Sequence, residues 1–259
     1  MVSFIDCHLS LRRCSPFNGG KFEGWGTSFC WWPNRIGYLD ELSEQAAKLF
    51  FDPKEGLGLN IIRYNIGGGD DPTHHHITRT DSMVPGYAIN PSHDANGYHW
   101  SYDWNADQNQ RNVLMKVAEC YGKDLIVEGF SNSPPYFMTN SGCSSGSVNA
   151  GENNLREDAY GAFASYLADV AQHFSKEWGI HFQSMTAMNE PDTEYWHALS
   201  DKQEGCHFDP GESQSVMIIA LREALDERGL NDILISGTDE TGIDCQINSI
   251  NSLSEVARE

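Results

Sequence analysis

The sequence predicts an α/β fold, a (β/α)8 TIM barrel of which about five βα units are present. Two observations predict it. Short apolar, β-branched segments alternate with segments of helical period along the 259 residues. The loops that follow the strands are long and aromatic, whereas those that precede them are short, which suits a barrel with one built-up face better than an open nucleotide-binding sheet. A third observation concerns the count. Five units occupy roughly residues 22 to 237, about fifty residues each, and eight would need on the order of 400. The expectation is the N-terminal part of a larger barrel, with a complete five-unit open sheet as the alternative.

The elements follow in order. Phe22-Glu-Gly-Trp-Gly-Thr-Ser-Phe29 reads as the first strand. A helix is expected from about Asp40 to Phe51, with Leu42, Ala46 and Leu49 on one face. Leu57 to Asn65 reads as a buried parallel strand. A long irregular segment follows, roughly 66 to 103, and a loop of that length in a compact domain is usually functional. Helical spacing returns from about Asp107 to Tyr121, with Gly122 as a stop. Asp124 to Phe130 is the third strand, opening into Ser131-Asn-Ser-Pro-Pro-Tyr136. The clearest helical stripe runs from about Leu155 to Trp178. The fourth strand ends at Asn189-Glu-Pro191, a helix spans about Glu212 to Arg228, and Asp232 to Gly237 is the fifth strand. Ile247 to Glu259 reads as the start of another helix.

Pro191 cannot donate to a ladder and biases Glu190 away from helix, so Glu190 falls where a buried strand meets its loop. In a (β/α)8 barrel that rim carries catalysis. Glu190 is read as a general acid/base and Asn189 as its sugar-holding neighbour. A solvated turn carboxylate is the plain alternative.

The chain carries 37 acidic and 17 basic residues, a net charge of −20. That field disfavours nucleic acid and anionic membranes and is compatible with a neutral polysaccharide or oligosaccharide substrate. No cofactor is called for. Gly67-Gly-Gly69 does not match the dinucleotide fingerprint, and no Gly-x-Ser-x-Gly elbow occurs. The seven cysteines form no Cys-x-x-Cys pair; Cys143 and Cys206, in loop sequence, are candidates for one disulfide if the protein is exported. His74-His75-His76 reads as solvated or sugar-contacting rather than as a metal site. Met1 to Ser15 is not a secretion signal, and no run reaches the length of a membrane span.

Sugar sites combine aromatic platforms with amides and carboxylates. The expected rim has Trp25, Trp31, Trp32, Tyr136, Tyr195 and Trp196 together with Asn65, Asp70, Asn132, Asn189 and Gln203. Five stretches then resemble glycoside hydrolase family 30, especially its endo-β-1,6-galactanase branch. They are Gly24-Trp-Gly-Thr-Ser-Phe-Cys-Trp-Trp32, Leu59-Asn-Ile-Ile-Arg-Tyr-Asn-Ile-Gly-Gly68, Gly129-Phe-Ser-Asn-Ser-Pro-Pro-Tyr-Phe-Met138, Thr186-Ala-Met-Asn-Glu-Pro191 and Gln203-Glu-Gly-Cys-His-Phe208.

The resemblance implies a (β/α)8 catalytic domain over 22–259, with residues 1–21 as a candidate strand of a side sandwich. It implies retaining hydrolysis of O-glycosidic bonds by two carboxyls about 5 Å apart. Glu190 would be the acid/base, Asn189 would hold the sugar 2-hydroxyl, and Arg63 would support the nucleophile. Trp32, Asp70, Asn132, Tyr136 and Trp196 are expected to bind substrate. The family's nucleophile comes from the seventh strand, so this chain is expected to lack it; Asp239 and Glu240 match a different position. The expected activity is an endo-β-1,6-galactanase acting outside the cell on arabinogalactan side chains. Xylan, β-1,6-glucan or glucosylceramide remain alternative substrates, and a non-catalytic carbohydrate-binding protein or inactive fragment is the alternative function.

Overall fold

The computed structural model describes residues 22–258. The N-terminal segment 1–21 expected in a side sandwich, with Cys7 and Cys14, lies outside them. In chain order the elements are β1 (Gly26–Ser28), α1 (Trp32–Ile36), α2 (Asp40–Phe51), β2 (Ile61–Asn65), β3 (Ala88–Asp94), β4 (Gly97–Tyr102) and α3 (Gln108–Tyr121). Then come β5 (Ile126–Phe130), α4 (Tyr160–Glu177), β6 (Ser184–Thr186), α5 (Glu212–Glu227), β7 (Leu234–Ile235), α6 (Ile243–Ser252) and α7 (Glu255–Arg258).

Five strands form one parallel sheet in the order β1-β2-β5-β6-β7. The order never reverses, so the sheet has no topological switch point of the kind that seats nucleotides in open α/β folds. Alternation along the strands decides the two faces. Ile62, Tyr64, Val127 and Met185 are buried in the core shared with the helices. Ile61, Arg63, Ile126, Glu128 and Ser184 alternate with them and are only half-buried. Leu234 of β7 and Trp25 beside β1 are exposed, so both sheet edges carry open apolar surface.

The α4 stripe is as expected: Phe163, Ala164, Leu167, Val170, Ala171 and Phe174 are all buried, and the helix begins at Tyr160 rather than Leu155. For α2 the limits agree but the face does not. Ser43, Ala46, Ala47 and Phe51 are buried, whereas Leu42 and Leu49 are exposed. Small residues let α2 lie close along α3, and that contact, not the leucines, selects the inward face.

The 66–103 segment is not irregular throughout, because β3 and β4 form an antiparallel hairpin. Ala95-Asn96 forms its two-residue turn, and Gly97, paired with Asp94, opens β4 at φ 108°, a region L-residues avoid. The hairpin docks on α4 through the Tyr102 hydroxyl, which donates to Asp169 at 2.6 Å.

The described cysteines are free thiols. Cys143 and Cys206 are both buried but face different partners, so the expected pairing is not formed: Cys206 Sγ donates to the His207 carbonyl at 3.6 Å, and Cys143 Sγ meets His76 and Leu199. Among the described residues no helix is long and apolar enough to cross a membrane.

Candidate active site

Parallel register sets Ser28, Arg63, Glu128 and Ser184 side by side across four strands. They share the face that the helices leave uncovered. Arg63 Nε donates to Glu128 Oε1 at 3.0 Å, and Ser184 Oγ donates to Glu128 Oε2 at 2.9 Å. The Arg63 guanidinium also donates to Asn189 Oδ1 at 3.1 Å, is ion-paired with Asp239, and lies 3.5 Å from the centre of the Phe130 ring. A half-buried arginine needs a carboxylate; this one has two, and through Asn189 it is tied to the end of β6.

Beyond β6, Ala187 and Met188 stay buried, and Asn189 bridges to Asp239 beyond β7. Glu190 follows at φ 49°. Left-handed backbone costs a non-glycine residue roughly 1–2 kcal/mol and persists only where its surroundings enforce it. Here they do. The Glu190 N–H donates to the Asp239 carbonyl at 2.7 Å, and its own carbonyl accepts from Thr193 Oγ1 at 2.8 Å and Trp196 Nε1 at 3.1 Å. The Tyr195 hydroxyl donates to Glu190 Oε2 at 2.7 Å. The carboxylate is thus fixed at the C-terminal end of a parallel strand, next to Asn189 and the Arg63 network.

The other expected site residues divide. Asp70 and Tyr136 line a cavity of about 620 Å³, with Gly68, Gly69, His74, His76 and Glu204 among its walls. Asn132 is buried beyond β5. Trp32 does not face the rim. Its indole N–H donates to the Ser28 carbonyl at 3.2 Å and its ring packs edge-on between Phe29 and Phe50, because it opens α1 on the core side. Trp196 is buried, with its ring packed so tightly over Gly205 that a Cβ there would fall 2.0 Å from it. Its role here is to hold the Glu190 backbone, and the exposed ring beside the carboxylate is Tyr195. Glu240, set aside as a nucleophile on position, is occupied as a bracket: it accepts from Asp192 N, Gln214 Nε2 and Ser249 Oγ at 3.0, 3.2 and 2.6 Å.

Sequence reasoning assigned no role to Glu128, although a charged residue at the centre of an apolar strand was a usable signal. It also passed over Glu204. That side chain is buried, and burial holds its pKa well above the usual carboxylate range, against the Gly69 N–H that donates to it at 3.0 Å. Glu204 thereby fixes the turn of Gly67-Gly-Gly69, where Gly68 has no room for a Cβ: one would lie 2.5 Å from the Ser133 and Pro134 carbonyls. The three histidines also separate. His75 is exposed, while His74 and His76 turn inward beside Asp70 and Cys143, the one group among the described residues with a metal-ligand donor set.

Residues 21–245 match the family model of O-Glycosyl hydrolase family 30. The chain is 38% identical over 243 residues to the endo-beta-1,6-galactanase of Hypocrea rufa, covering 86% of this chain and 48% of that protein. Among solved structures it resembles a conserved exported protein from Bacteroides fragilis, with a TM-score of 0.70 and 25% identity over 85% of this chain and 44% of that one. The catalytic domain of GH30 xylanase C from Talaromyces cellulolyticus shares the fold, with a TM-score of 0.65 at 19% identity over 88% of this chain and 48% of that one. The chain spans about half the length of the galactanase and of both structures.

Proposed function

The chain belongs to O-glycosyl hydrolase family 30, and from that premise we propose that the whole protein is a retaining endo-β-1,6-galactanase in which Glu190 is the acid/base. The observation that carries this reading is the placement of Glu190. Its carboxylate sits at a strand end in enforced left-handed backbone, with Tyr195 on one oxygen and Asn189 held beside it by Arg63. The 38% identity to an endo-beta-1,6-galactanase supports the linkage over xylan, β-1,6-glucan or glucosylceramide.

We read the five parallel strands as the first five of a (β/α)8 barrel spanning 22–259. Their sequential order, the helices on one face, the polar row on the other and the apolar edges at β1 and β7 support it. In a closed barrel the Arg63–Glu128–Ser184 row faces the lumen, and Glu190 stands on its C-terminal rim. Glu190 would protonate the leaving oxygen and then deprotonate water, while a second carboxylate about 5 Å away attacks the anomeric carbon. We assign that nucleophile to a strand other than these five. Glu128 and Asp239 are both engaged by Arg63, and Glu240 is bracketed by three donors. Asn189, Asn132, Tyr136 and Tyr195 are proposed to contact the sugar chain, and Asp70, Arg63, Trp32 and Trp196 to support the site from behind. Action outside the cell follows from the polymeric substrate.

A second reading, a non-catalytic carbohydrate-binding protein, draws on the same ion pairing of both carboxylates nearest Arg63. One measurement separates the two: release of reducing ends from β-1,6-galactan by the whole protein. Turnover that is abolished in Glu190→Gln while galacto-oligosaccharide binding persists supports the hydrolase. Binding without turnover in the unmodified protein supports the alternative.

A further inference from the structure

We propose that Asp70, His74, His76 and Cys143 form a structural site for a divalent transition-metal ion of zinc type, clamping the rim loops together. One ligand atom from each side chain lies within 4.8 Å of all the others. The residues come from two loops far apart in the chain: Asp70, His74 and His76 follow β2, and Cys143 follows β5. A third loop, after β6, supplies the outer contacts.

The hydrogen bonds around His76 argue for a cation. Its Nδ1 lies 2.6 Å from the Ser200 carbonyl, which can only accept, so Nδ1 carries a proton. In a neutral ring Nε2 then presents a lone pair, yet it faces Asp70 Oδ2 at 2.5 Å and Cys143 Sγ at 3.4 Å. Three electron-rich atoms converge on one point. Among the described residues Asp70 has no lysine or arginine partner; its ion-pair contacts are His74 and His76. A metal at that point satisfies all of them, and the Ser200 carbonyl on the far nitrogen is the outer contact that fixes a ligating tautomer.

The sulfur is prepared in the same way. The Leu199 N–H donates to Cys143 Sγ at 3.3 Å, and Ser145 Oγ, whose proton goes to the His197 carbonyl, lies 3.2 Å from it, so both contacts fix the position of the sulfur. The Ser144 N–H donates to Asp70 Oδ1 at 3.0 Å and orients the carboxylate. A cysteine nucleophile is the competing chemistry, but a Cys-His-Asp triad puts the sulfur and the carboxylate on opposite ring nitrogens, and here both meet Nε2.

Two imidazoles, a thiolate and a carboxylate suit zinc, whereas calcium and magnesium take oxygen ligands. A tetrahedral zinc site has ligand–ligand edges of roughly 3.3–3.8 Å, so the Asp70–His76 pair, 2.5 Å apart, has to open and the widest pairs to close, each by on the order of 1 Å, while His76 and Cys143 at 3.4 Å already fit. Four protein ligands leave no open position, which makes the site structural rather than catalytic. Binding releases the Cys143 proton to solvent. The ion would join the wall of the 620 Å³ cavity to the loop bearing Leu199 and Ser200, which also carries Tyr195 and Trp196 beside Glu190.

The test is titration of the full chain, stripped of metal, with cobalt(II) and zinc(II). One equivalent of cobalt should give tetrahedral visible bands and a thiolate-to-cobalt charge-transfer band in the near ultraviolet. Zinc should displace it, remain at one equivalent through gel filtration, and raise the melting temperature. Cys143→Ser should lose the charge-transfer band, and His76→Ala should weaken zinc at least ~100-fold, beyond the usual cost of losing an outer-shell contact. Absence of the charge-transfer band in the unmodified chain overturns the proposal and leaves a doubly protonated His76 as the account of the cluster. So does unchanged zinc affinity in both variants.

Discussion

Two constellations meet at this rim, and they are built differently. The Arg63–Glu190 centre stands on strand ends, where parallel register alone puts Arg63, Glu128 and Ser184 in line. The Asp70–Cys143 cluster stands on loops, and the hydrogen bonds that close it join residues 67 and 124 positions apart in the chain. A site on strands inherits its geometry from the sheet; a site on loops must supply its own brace. The first is therefore expected to fail through chemistry when one residue changes, and the second through loss of local order.

The largest expected effect is at Glu190. Glu190→Gln keeps the shape and removes the proton, and general acid/base catalysis is worth about 10²–10⁴ in rate. Turnover of unactivated β-1,6-galactan should fall about 10³-fold, and much less on an aryl glycoside whose leaving group needs no proton. Azide should revive Glu190→Ala on that activated substrate and give a glycosyl azide of retained configuration. An unimpaired kcat in the Gln variant would sink the acid/base role.

Arg63→Lys comes next. Lysine keeps the charge but lacks the planar fork that reaches Glu128, Asn189 and Asp239 together. We expect kcat/KM to fall by about 10–100-fold, with about 1–2 kcal/mol less stability in urea unfolding, less than the loss of a fully buried pair because Arg63 is partly exposed. Wild-type kinetics in this variant would mean that the row does not position Asn189.

The same contrast explains what the sequence reveals. An apolar run broken by Asn-Glu-Pro marks a strand end, and the structure has Glu190 there in left-handed backbone. Arg63 near the end of β2 announces a carboxylate partner, but not which one: Glu128 stands out as a charge inside an apolar strand, yet only the register of β2 against β5 sets it beside Arg63. Periodicity locates α4 closely yet mistakes the buried side of α2, because a helix surface lined by Ala46 and Ala47 is chosen by its neighbour rather than by its leucines. The rim aromatics are the least readable. Tyr195 and Trp196 lie edge to face with ring centroids 4.7 Å apart, yet nothing local tells Tyr195, exposed, from Trp196, buried. The Asp70–Cys143 cluster has no periodicity at all. Only His74 and His76, two apart on an extended loop, hint that they share a side.

That pair of neighbouring rings gives a smaller effect and a sharper one. Tyr195→Phe removes the hydroxyl on Glu190 Oε2 from an exposed ring and should cost about 3–10-fold in kcat with stability nearly unchanged. Trp196→Phe removes the indole N–H from the Glu190 carbonyl inside the protein and should cost about 1–3 kcal/mol. Steady-state kinetics and thermal unfolding measured together separate them. The assignment of the two rings fails if the losses are exchanged.

Asp107 should matter least to turnover, because it lies beneath both regions. Its carboxylate accepts from the Tyr64 hydroxyl at 2.5 Å and Gln110 Nε2 at 2.7 Å, and Gln110 clasps the backbone of Asn65, where β2 passes into the loop bearing Asp70. Burial pushes its pKa up from 3.8 to about 7, although Tyr64, Gln110, Arg111 and Tyr87 all favour the charged form. A carboxyl with a raised folded pKa stabilises the fold fully below its unfolded value, and that contribution fades as pH climbs through the folded value. Between about pH 4 and 7 the melting temperature should therefore fall, by up to about 4 kcal/mol in stability from this group. Asp81 does not mask the trend: Arg79 and Arg35 lower its pKa to about 2, so its contribution is lost only in stronger acid. Asn at 107 is neutral throughout, keeps an oxygen to accept both bonds, and suits the left-handed backbone found there at φ 53°. Asp107→Asn should flatten the profile from pH 4 to 7, and the slope that remains combines Glu204, whose raised pKa acts in the same direction and which Glu204→Gln removes, with His173, whose pKa burial lowers and which acts in the opposite direction. A profile for Asp107→Asn parallel to that of the unmodified protein would mean that Asp107 is ionised in the folded state, with β2 braced by a charge rather than by a neutral acid.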